Sequence, residues 1–217
     1  MNYAAARMNM VEGQLRTNKV TDDAVLSAFL AVPRERFVTN VLSSSAYVDD
    51  DLPIGNDRYL MEPMVFARLL QLAAITPADN VLEIGSGTGY GTAVLARLAG
   101  KVVAVEQDPV LAAQARDRLR ELGVIHIETI AGRHAAGHSA GAPYDVIVIE
   151  GAVQAIPDAI AAQLAEGGRL VAVLARESGM GQAMLMTRVN GLLSHLPEFD
   201  AAVPLLPGFE RGPSFVF

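Results

Sequence analysis

The N-terminal third of the chain is predicted to be mainly helical. Thr21-Asp22-Asp23 offers a cap, and apolar residues then recur at helical spacing up to Pro33. Residues 43–55 are rich in Ser, Asp, Pro and Gly, the composition of a loop with tight turns. A second helix is predicted to begin at Glu62-Pro63, with the proline at its tolerated first position. We therefore expect a small helical cap that leads through a loop into the main body.

Beyond about residue 80, short apolar runs alternate with helical segments. This alternation is typical of βαβ units around a mostly parallel, buried sheet. The predicted strands are residues 81–84, 102–105, 124–130, 146–149 and 170–174. The helices between them are predicted to begin near Thr88, Pro109 and Ile156. Asn190-Gly191 lies between two further apolar runs and predicts a hairpin, so we expect the sheet to end in antiparallel strands.

The size and charge of the chain narrow its class. At 217 residues it falls near the usual size of one domain, and we expect a single domain over residues 1–217. In it, residues 1–60 are predicted to form the helical cap and an adjoining loop, and residues 61–217 the α/β body. A net charge of −7 repels phosphate backbones, so nucleic acid is not an expected partner.

The absence of cysteine excludes several kinds of site. Disulfide scaffolds, iron–sulfur clusters, thiolate zinc sites and cysteine nucleophiles all require that side chain. The first twenty residues have no apolar signal-peptide core, and no charge-free stretch approaches the roughly 18 residues that span a bilayer. We therefore expect a cytoplasmic protein that does not act at a membrane.

A glycine-rich turn at residues 83–90, Glu-Ile-Gly-Ser-Gly-Thr-Gly-Tyr, follows a predicted strand and opens a helix. Glycines there let the backbone approach a ligand closely, and the start of the helix presents unpaired N–H groups. The spacing is Gly-x-Gly-x-Gly, and Tyr90 stands where dinucleotide-binding proteins carry their third glycine. The turn therefore predicts a nucleotide-like ligand and argues against a nicotinamide or flavin.

Glu106 is predicted to end the second strand, about 20 residues beyond the glycine-rich turn. A carboxylate at this place accepts hydrogen bonds from ribose hydroxyls. Turn and acid together predict an adenosine-containing ligand. The alternative is a tight turn without a ligand, followed by a solvated acid at the end of a strand.

The turn resembles motif I of class I S-adenosylmethionine-dependent methyltransferases, and the chain as a whole resembles the protein-L-isoaspartate O-methyltransferase family. The matching residues run in order over about the first three quarters of the chain. They are Gln14-Leu15-Arg16, Val32-Pro33-Arg34, Phe37-Val38, Ala46-Tyr47, Asp49, Leu52-Pro53-Ile54-Gly55, Pro63, residues 83–90, Glu106, Pro143-Tyr144-Asp145, Ile156-Pro157 and Gly167-Gly168-Arg169-Leu170. The resemblance implies an α/β fold with a doubly wound, mostly parallel, seven-stranded Rossmann-like sheet.

The resemblance also implies an activity and a site. The implied reaction transfers a methyl group from S-adenosylmethionine, leaving S-adenosylhomocysteine, to the side-chain carboxylate of an isoaspartyl residue as a step in protein repair. The implied cofactor-binding residues are Glu83, Gly85, Ser86, Gly87, Thr88, Gly89, Glu106, Gln107, Gly132 and Arg133. The implied substrate-side residues are Arg58, Tyr59, Leu60 and Met61.

Two substrate-side residues depart from the family pattern. Met61 stands where the family has an active-site Ser, and Tyr59 stands where it has Thr. A thioether cannot donate a hydrogen bond, so no catalytic residue is assigned, and Met61 is expected either to fill the core or to contact substrate. In place of the missing hydroxyl, we expect Arg58 or Tyr59 to bind an anion.

Two further departures lie on the cofactor side. Arg133 stands where the family has the Asp that meets the adenine amino group, and an arginine cannot accept that hydrogen bond. Backbone atoms would then hold adenine, or affinity would fall. Glu150 stands in the family's Thr-Ala-Ala segment, where it either approaches the sulfonium or a substrate amine, or is a solvated acid at a strand end.

Two polar clusters are assigned plain roles. His134 and His138 are four residues apart but lack the Glu of a His-Glu-x-x-His site, so no metal is expected. Asp49-Asp50-Asp51 is most simply a solvated loop, with contact to a basic peptide as the alternative.

Four functions follow, in order of preference. The first is methylation of isoaspartyl residues, and the second is methylation of another acceptor such as a small carboxylate or a phenol. The third is a non-catalytic binding protein that retains the fold. A nicotinamide-dependent oxidoreductase comes last, because the glycine spacing is wrong and no Tyr-x-x-x-Lys proton donor is present.

Overall fold

The fold is described from a computed structural model, which covers residues 1–177 and 179–209. The helices are α1 (Tyr3–Met10), α2 (Asp23–Ala31), α3 (Pro63–Ala73), α4 (Tyr90–Leu95), α5 (Pro109–Glu121) and α6 (Asp158–Ala161). The strands are β1 (Leu52–Gly55), β2 (Arg58–Leu60), β3 (Asn80–Ile84), β4 (Lys101–Glu106), β5 (Ile127–Ala131), β6 (Tyr144–Val153), β7 (Leu164–Leu174), β8 (Gly181–Val189) and β9 (Leu192–Ala201). In this part of the chain, no helix is long and apolar enough to cross a membrane.

Seven strands form one sheet, in the order β5-β4-β3-β6-β7-β8-β9. Strands β3 to β7 are parallel, whereas β8 runs antiparallel to β7 and β9 antiparallel to β8. The predicted fold class is confirmed, including the hairpin at Asn190-Gly191. Since the chain leaves β3 toward β4 on one side and β6 adds on the other, a crevice opens at the carboxyl ends of β3 and β6.

The central strands are buried on both faces, as their apolar runs predict. Val81, Val102 and Val146 point to the face covered by α3, α4, α5 and the N-terminal helices. Leu82 and Ile147 point to the opposite face, which α6 and the segment after β9 cover. Successive side chains of a strand alternate between faces, so one apolar run supplies both cores.

The N-terminal region contains the predicted helices and one element that was not predicted. The side chain of Asp22 caps α2 by accepting hydrogen bonds from the N–H groups of Ala24 and Val25. Residues 43–55, expected to be a loop, include the end of a 3₁₀ helix over Asn40–Ser45 and strand β1. Strands β1 and β2 form a separate antiparallel hairpin, which we call the 52–60 hairpin.

Several elements begin two or three residues after the predicted positions, for local reasons. The strand expected from residue 124 begins at Ile127, because the N–H of Val124 still donates to the Leu119 carbonyl and His126 has a φ of +61°. The helix expected near Thr88 begins two residues later, because Gly89 has a φ of +93°. The helix expected near Ile156 begins at Asp158, after Pro157.

Candidate active site

The glycine-rich turn lies at the crevice, directly after β3. Gly85, Gly87 and Gly89 have φ values of +88°, +53° and +93°, a region that side chains with a β-carbon rarely adopt. The N–H groups of Gly85 and Ser86 donate to the Val105 carbonyl, at 2.9 and 3.3 Å. These bonds tie the turn to the end of β4, where the sequence predicted that the second half of the site would lie.

Glu106 ends β4 and is buried beneath the turn. Its Oε2 accepts from the Gly87 N–H at 2.7 Å and from the Arg58 guanidinium at 2.9 Å, and its Oε1 accepts from the Asp108 N–H at 3.0 Å. His134 Nε2 lies 3.2 Å from Oε1. Burial alone would raise the pKa of Glu106, but His134 and Arg58 outweigh it, and the pKa falls to about 2. A solvated acid, the alternative considered above, is therefore wrong for Glu106.

Arg58 lies on the cofactor side of the crevice. Its Nη2 donates to the Gly85 carbonyl at 2.7 Å as well as to Glu106, and its side chain is 5% exposed. The sequence placed Arg58 among the substrate-side residues and left it to bind an anion. In the structure that anion is a carboxylate of the chain itself.

Two apolar side chains cover the turn. A β-carbon on Gly87 would lie 2.6 Å from Cδ1 of Ile54, and one on Gly85 would lie 2.9 Å from Cδ1 of Leu206. Ile54 belongs to the 52–60 hairpin. Leu206 belongs to residues 204–209, which we call the C-terminal strap. The strap is held to β6 by backbone hydrogen bonds between Ala152 and Pro204 and between Leu206 and Ala152, at 2.9 and 2.8 Å.

His134 joins the strap to Glu106. Its Nδ1 lies 2.9 Å from the Pro207 carbonyl oxygen, which can only accept, so Nδ1 carries a proton. Its Nε2 lies 3.0 Å from the Gln107 backbone nitrogen and 3.2 Å from Oε1 of Glu106, and with a proton on Nε2 the ring donates to that carboxylate. His134 is buried, a role that the sequence does not predict, whereas Arg133, the predicted cofactor residue beside it, is exposed. In the described part of the chain, no three side chains of metal-binding type gather into a site.

The remaining predicted site residues differ in burial, and two of them make structural hydrogen bonds. The Thr88 hydroxyl donates to the Phe37 carbonyl at 2.6 Å. The Gly132 N–H donates to the Glu106 carbonyl at 2.9 Å. Ser86, Leu60 and Met61 are buried, whereas Gln107 and Tyr59 are exposed. Met61 belongs to the apolar core and also borders the crevice, so it fulfils the core-filling role.

Glu83 and Glu150 form a buried pair of carboxyl groups under α4. Thr92 donates to Oε2 of Glu83 at 2.5 Å, and a β-carbon on Gly91 would overlap an oxygen of each carboxyl group. Glu150 does not end its strand, because β6 continues through a bulge to Val153. The solvated alternative for Glu150 is wrong. Burial and the neighbouring Glu83 raise its pKa well above the ordinary value.

The acidic run before the hairpin also has a structural role. Asp51 accepts from the N–H of Glu62 at 2.9 Å, and Asp49 accepts from the N–H of Met64 at 3.0 Å. Both carboxylates lie at the start of α3, where unpaired N–H groups favour negative charge. The run is thus more than a solvated loop.

The crevice is nearly full in this conformation. Asp51, Arg58, Met61 and Glu150 line a cavity of about 10 Å³. That volume holds about one water molecule, whereas small-molecule sites typically measure roughly 300–1,000 Å³.

Comparison with known proteins places the chain in a family. The sequence model of the protein-L-isoaspartate(D-aspartate) O-methyltransferase family matches residues 6–196. The chain belongs to this family. A protein-L-isoaspartate O-methyltransferase of Koribacter versatilis is 43% identical over 169 residues, which are 78% of this chain and 76% of that protein. One of Aliivibrio fischeri is 35% identical over 204 residues, which are 94% and 97% of the two chains.

Solved structures agree with the family. A structure titled protein-L-isoaspartate O-methyltransferase superposes with a TM-score of 0.82 at 27% identity, over 93% of this chain and 66% of that one. A Plasmodium falciparum structure titled as a putative enzyme of the same kind, in complex with S-adenosyl-L-homocysteine, gives a TM-score of 0.79. At 18% identity over 96% of this chain and 99% of that one, the second likeness shows the fold alone. The family resemblance stated from the sequence is confirmed.

Proposed function

We propose that the chain is an S-adenosylmethionine-dependent methyltransferase that esterifies the side-chain carboxylate of L-isoaspartyl residues in damaged proteins. The observation that carries the proposal is the glycine-rich turn joined to buried Glu106 at the switch point of the sheet, in a chain that the family model matches over residues 6–196. Dinucleotide and nucleoside cofactors lie at this place in doubly wound sheets.

The reaction needs no strong base. A carboxylate with a pKa near 4 is already ionised at neutral pH and is itself the nucleophile, and the cofactor supplies the methyl group. The protein contributes by holding the acceptor carboxylate in line and by excluding water. A missing hydroxyl at Met61 is therefore compatible with turnover, although binding of the acceptor must then rely on other groups.

The cofactor does not fit the site in the described conformation. Glu106 already has its hydrogen-bond donors, and the Gly85 carbonyl is bound to Arg58. Ile54 and Leu206 cover the two glycines that a ligand would approach. We propose that the cofactor is received only after these side chains move, by Glu106, Gly85, Ser86, Gly87, Thr88, Gly89, Gln107 and Gly132.

The acceptor proposed first is an isoaspartyl peptide, and a small carboxylate is the second candidate. The observation behind the second is that Met61 lines the crevice where the family has a hydroxyl, so one contact of the isoaspartyl acceptor is missing. The single-domain boundaries, the cytoplasmic location and the absence of nucleic-acid binding stay predictions.

The test uses methyl-labelled S-adenosylmethionine with an isoaspartyl peptide and its aspartyl isomer. We expect a base-labile methyl ester on the isoaspartyl peptide and none on the aspartyl control. Equal labelling of the two peptides would contradict the acceptor assignment. Labelling of a small carboxylate such as succinate, with neither peptide labelled, would favour the second candidate.

A further inference from the structure

Arg58 occupies the same acceptor atoms that the proposed function gives to the cofactor. Its guanidinium donates to the Gly85 carbonyl and to Oε2 of Glu106. Ribose hydroxyls would donate to the same carboxylate, which already holds two backbone N–H donors, from Gly87 and Asp108. Arginine and cofactor are therefore mutually exclusive at Glu106.

The charge around the crevice explains why an arginine is stable there. The buried Glu106 carboxylate lies under the glycine-rich turn, and the buried pair of Glu83 and Glu150 lies near it, so the crevice favours a cation even where that pair shares one proton. The guanidinium supplies that cation in the closed state, and the positively charged sulfonium of the cofactor would supply it in the open state. Arg58 thus resembles the ligand in both hydrogen bonding and charge.

The element that carries Arg58 is a separate hairpin, packed on the core through Leu52, Ile54 and Leu60. Strands β1 and β2 form their own two-stranded sheet, apart from the seven-stranded one, and such a hairpin is only marginally stable by itself. Its turn has positive φ at Asn56 and Asp57, and the Asn56 amide donates to the Asp108 carboxylate at the start of α5. Side chains of the hairpin therefore supply its contacts with the cofactor site.

The C-terminal strap covers the other side of the glycine-rich turn and is held by backbone hydrogen bonds. Its backbone bonds pair it with Ala152 at the carboxyl end of β6, and His134 binds the Pro207 carbonyl. Of the two elements that cover the glycine-rich turn, the hairpin is thus the one held mainly by side chains.

We propose that the 52–60 hairpin is a gate over the cofactor site, closed by Arg58 acting as an internal competitor for Glu106 and the Gly85 carbonyl. The inference rests on the proposed function, because it assumes that S-adenosylmethionine binds at the turn. Affinity for a ligand that needs the open state falls in proportion to the open fraction. Removing the competitor is therefore expected to tighten binding.

The first experiment titrates S-adenosylmethionine calorimetrically into the full chain and into Arg58→Gln. Losing the charge-assisted contacts of the closed state is expected to lower the dissociation constant about tenfold or more. Arg36→Gln is the matched control, because Arg36 is exposed and pairs with exposed Glu121, and its dissociation constant is expected to stay that of the unchanged protein. Equal or weaker binding by Arg58→Gln, with the unchanged protein binding, would overturn the gate.

A second measurement does not depend on the Arg58 variant folding. Amide exchange of the unchanged protein is expected to become faster over residues 52–60 and slower over residues 85–89 when saturating S-adenosylmethionine is added. Exchange over residues 52–60 that is unchanged on binding would contradict the gate.

A second variant, Ile54→Ala, uncovers Gly87 without changing the ion pair of Arg58 and Glu106. Like Arg58→Gln, it is expected to lower the dissociation constant.

The outcomes separate this inference from the proposed function. If Arg58→Gln binds more tightly but neither protein labels an isoaspartyl peptide, the gate stands and the proposed activity fails. If the peptide is labelled, and replacing Arg58 or Ile54 leaves the dissociation constant unchanged, the activity stands and the gate fails. If no variant binds millimolar cofactor, both fail.

Discussion

Glu83 and Glu150 are buried side by side, so ionising both carboxyl groups would cost a large amount of free energy. Burial raises the pKa of Glu83, and burial together with Glu83 raises the pKa of Glu150. One proton shared between them lets one carboxyl donate to the other, while Thr92 donates to Glu83. The site therefore carries less negative charge than its residues suggest.

This pair predicts a pH-dependent stability. The folded chain keeps a proton that the unfolded chain releases above its ordinary carboxyl pKa, so stability is full below that pKa and falls as pH rises. Glu150→Gln mimics the protonated form. We expect it to raise the free energy of unfolding by about 1–2 kcal/mol at pH 8 and to change it little at pH 5. Urea denaturation at both pH values measures this.

The control for this prediction is Glu121→Gln, whose exposed carboxylate pairs with Arg36. Asp51 and Glu62 also make the free energy of unfolding fall with rising pH, and they do so in every variant. Burial and nearby carboxylates raise their pKa values to about 6 and about 7. If Glu150→Gln and the unchanged protein lose stability in parallel from pH 5 to pH 8, the shared proton is refuted.

Helix α4 packs directly onto this pair, and one glycine makes that possible. A β-carbon on Gly91 would overlap oxygens of both Glu83 and Glu150, although the helical backbone there suits any residue. Gly91→Ala is therefore expected to destabilise the protein by about 1–3 kcal/mol, the range for overpacking a core. The measurement is the midpoint of urea unfolding.

A second helical glycine serves as the control for Gly91. Nothing lies within 4 Å of a β-carbon on Gly13, in the π-helical turn over Val11–Leu15. Gly13→Ala is expected to stabilise by about 0.5–1 kcal/mol, because it restricts the unfolded chain. Equal effects of the two substitutions would show that α4 does not pack on the carboxyl groups as described.

At the scale of the whole molecule, protection should decrease from the centre of the sheet to its edges. Strands β3, β4 and β6 are buried on both faces, whereas most of β9 is exposed and it forms one edge. Amide exchange is expected to be at least about tenfold slower in β3 than in β9. Hydrogen exchange read by mass spectrometry checks this, and equal rates would mean that the sheet opens as one unit.

Sequence patterns alone predict most of the elements, their order along the chain and the family, but not the 52–60 hairpin. Apolar periodicity, the Asp22 cap, the glycine-rich turn and Asn190-Gly191 all act over a few residues, so a local pattern suffices to predict them. The match of ordered motifs, such as Ile54 within Leu-Pro-Ile-Gly, also indicated the site region, but not that Ile54 covers Gly87.

What occupies the crevice depends on contacts between segments that are far apart in the chain. Arg58 reaches Gly85 and Glu106 across 27 and 48 residues of sequence, and the strap folds back over the turn from beyond β9. No local pattern tells which buried acceptor an arginine will meet, because that depends on how separate segments pack. The pairing of Glu83 with Glu150 could not be predicted for the same reason. The two residues lie on different strands, and nothing in the sequence around either one indicates that they meet.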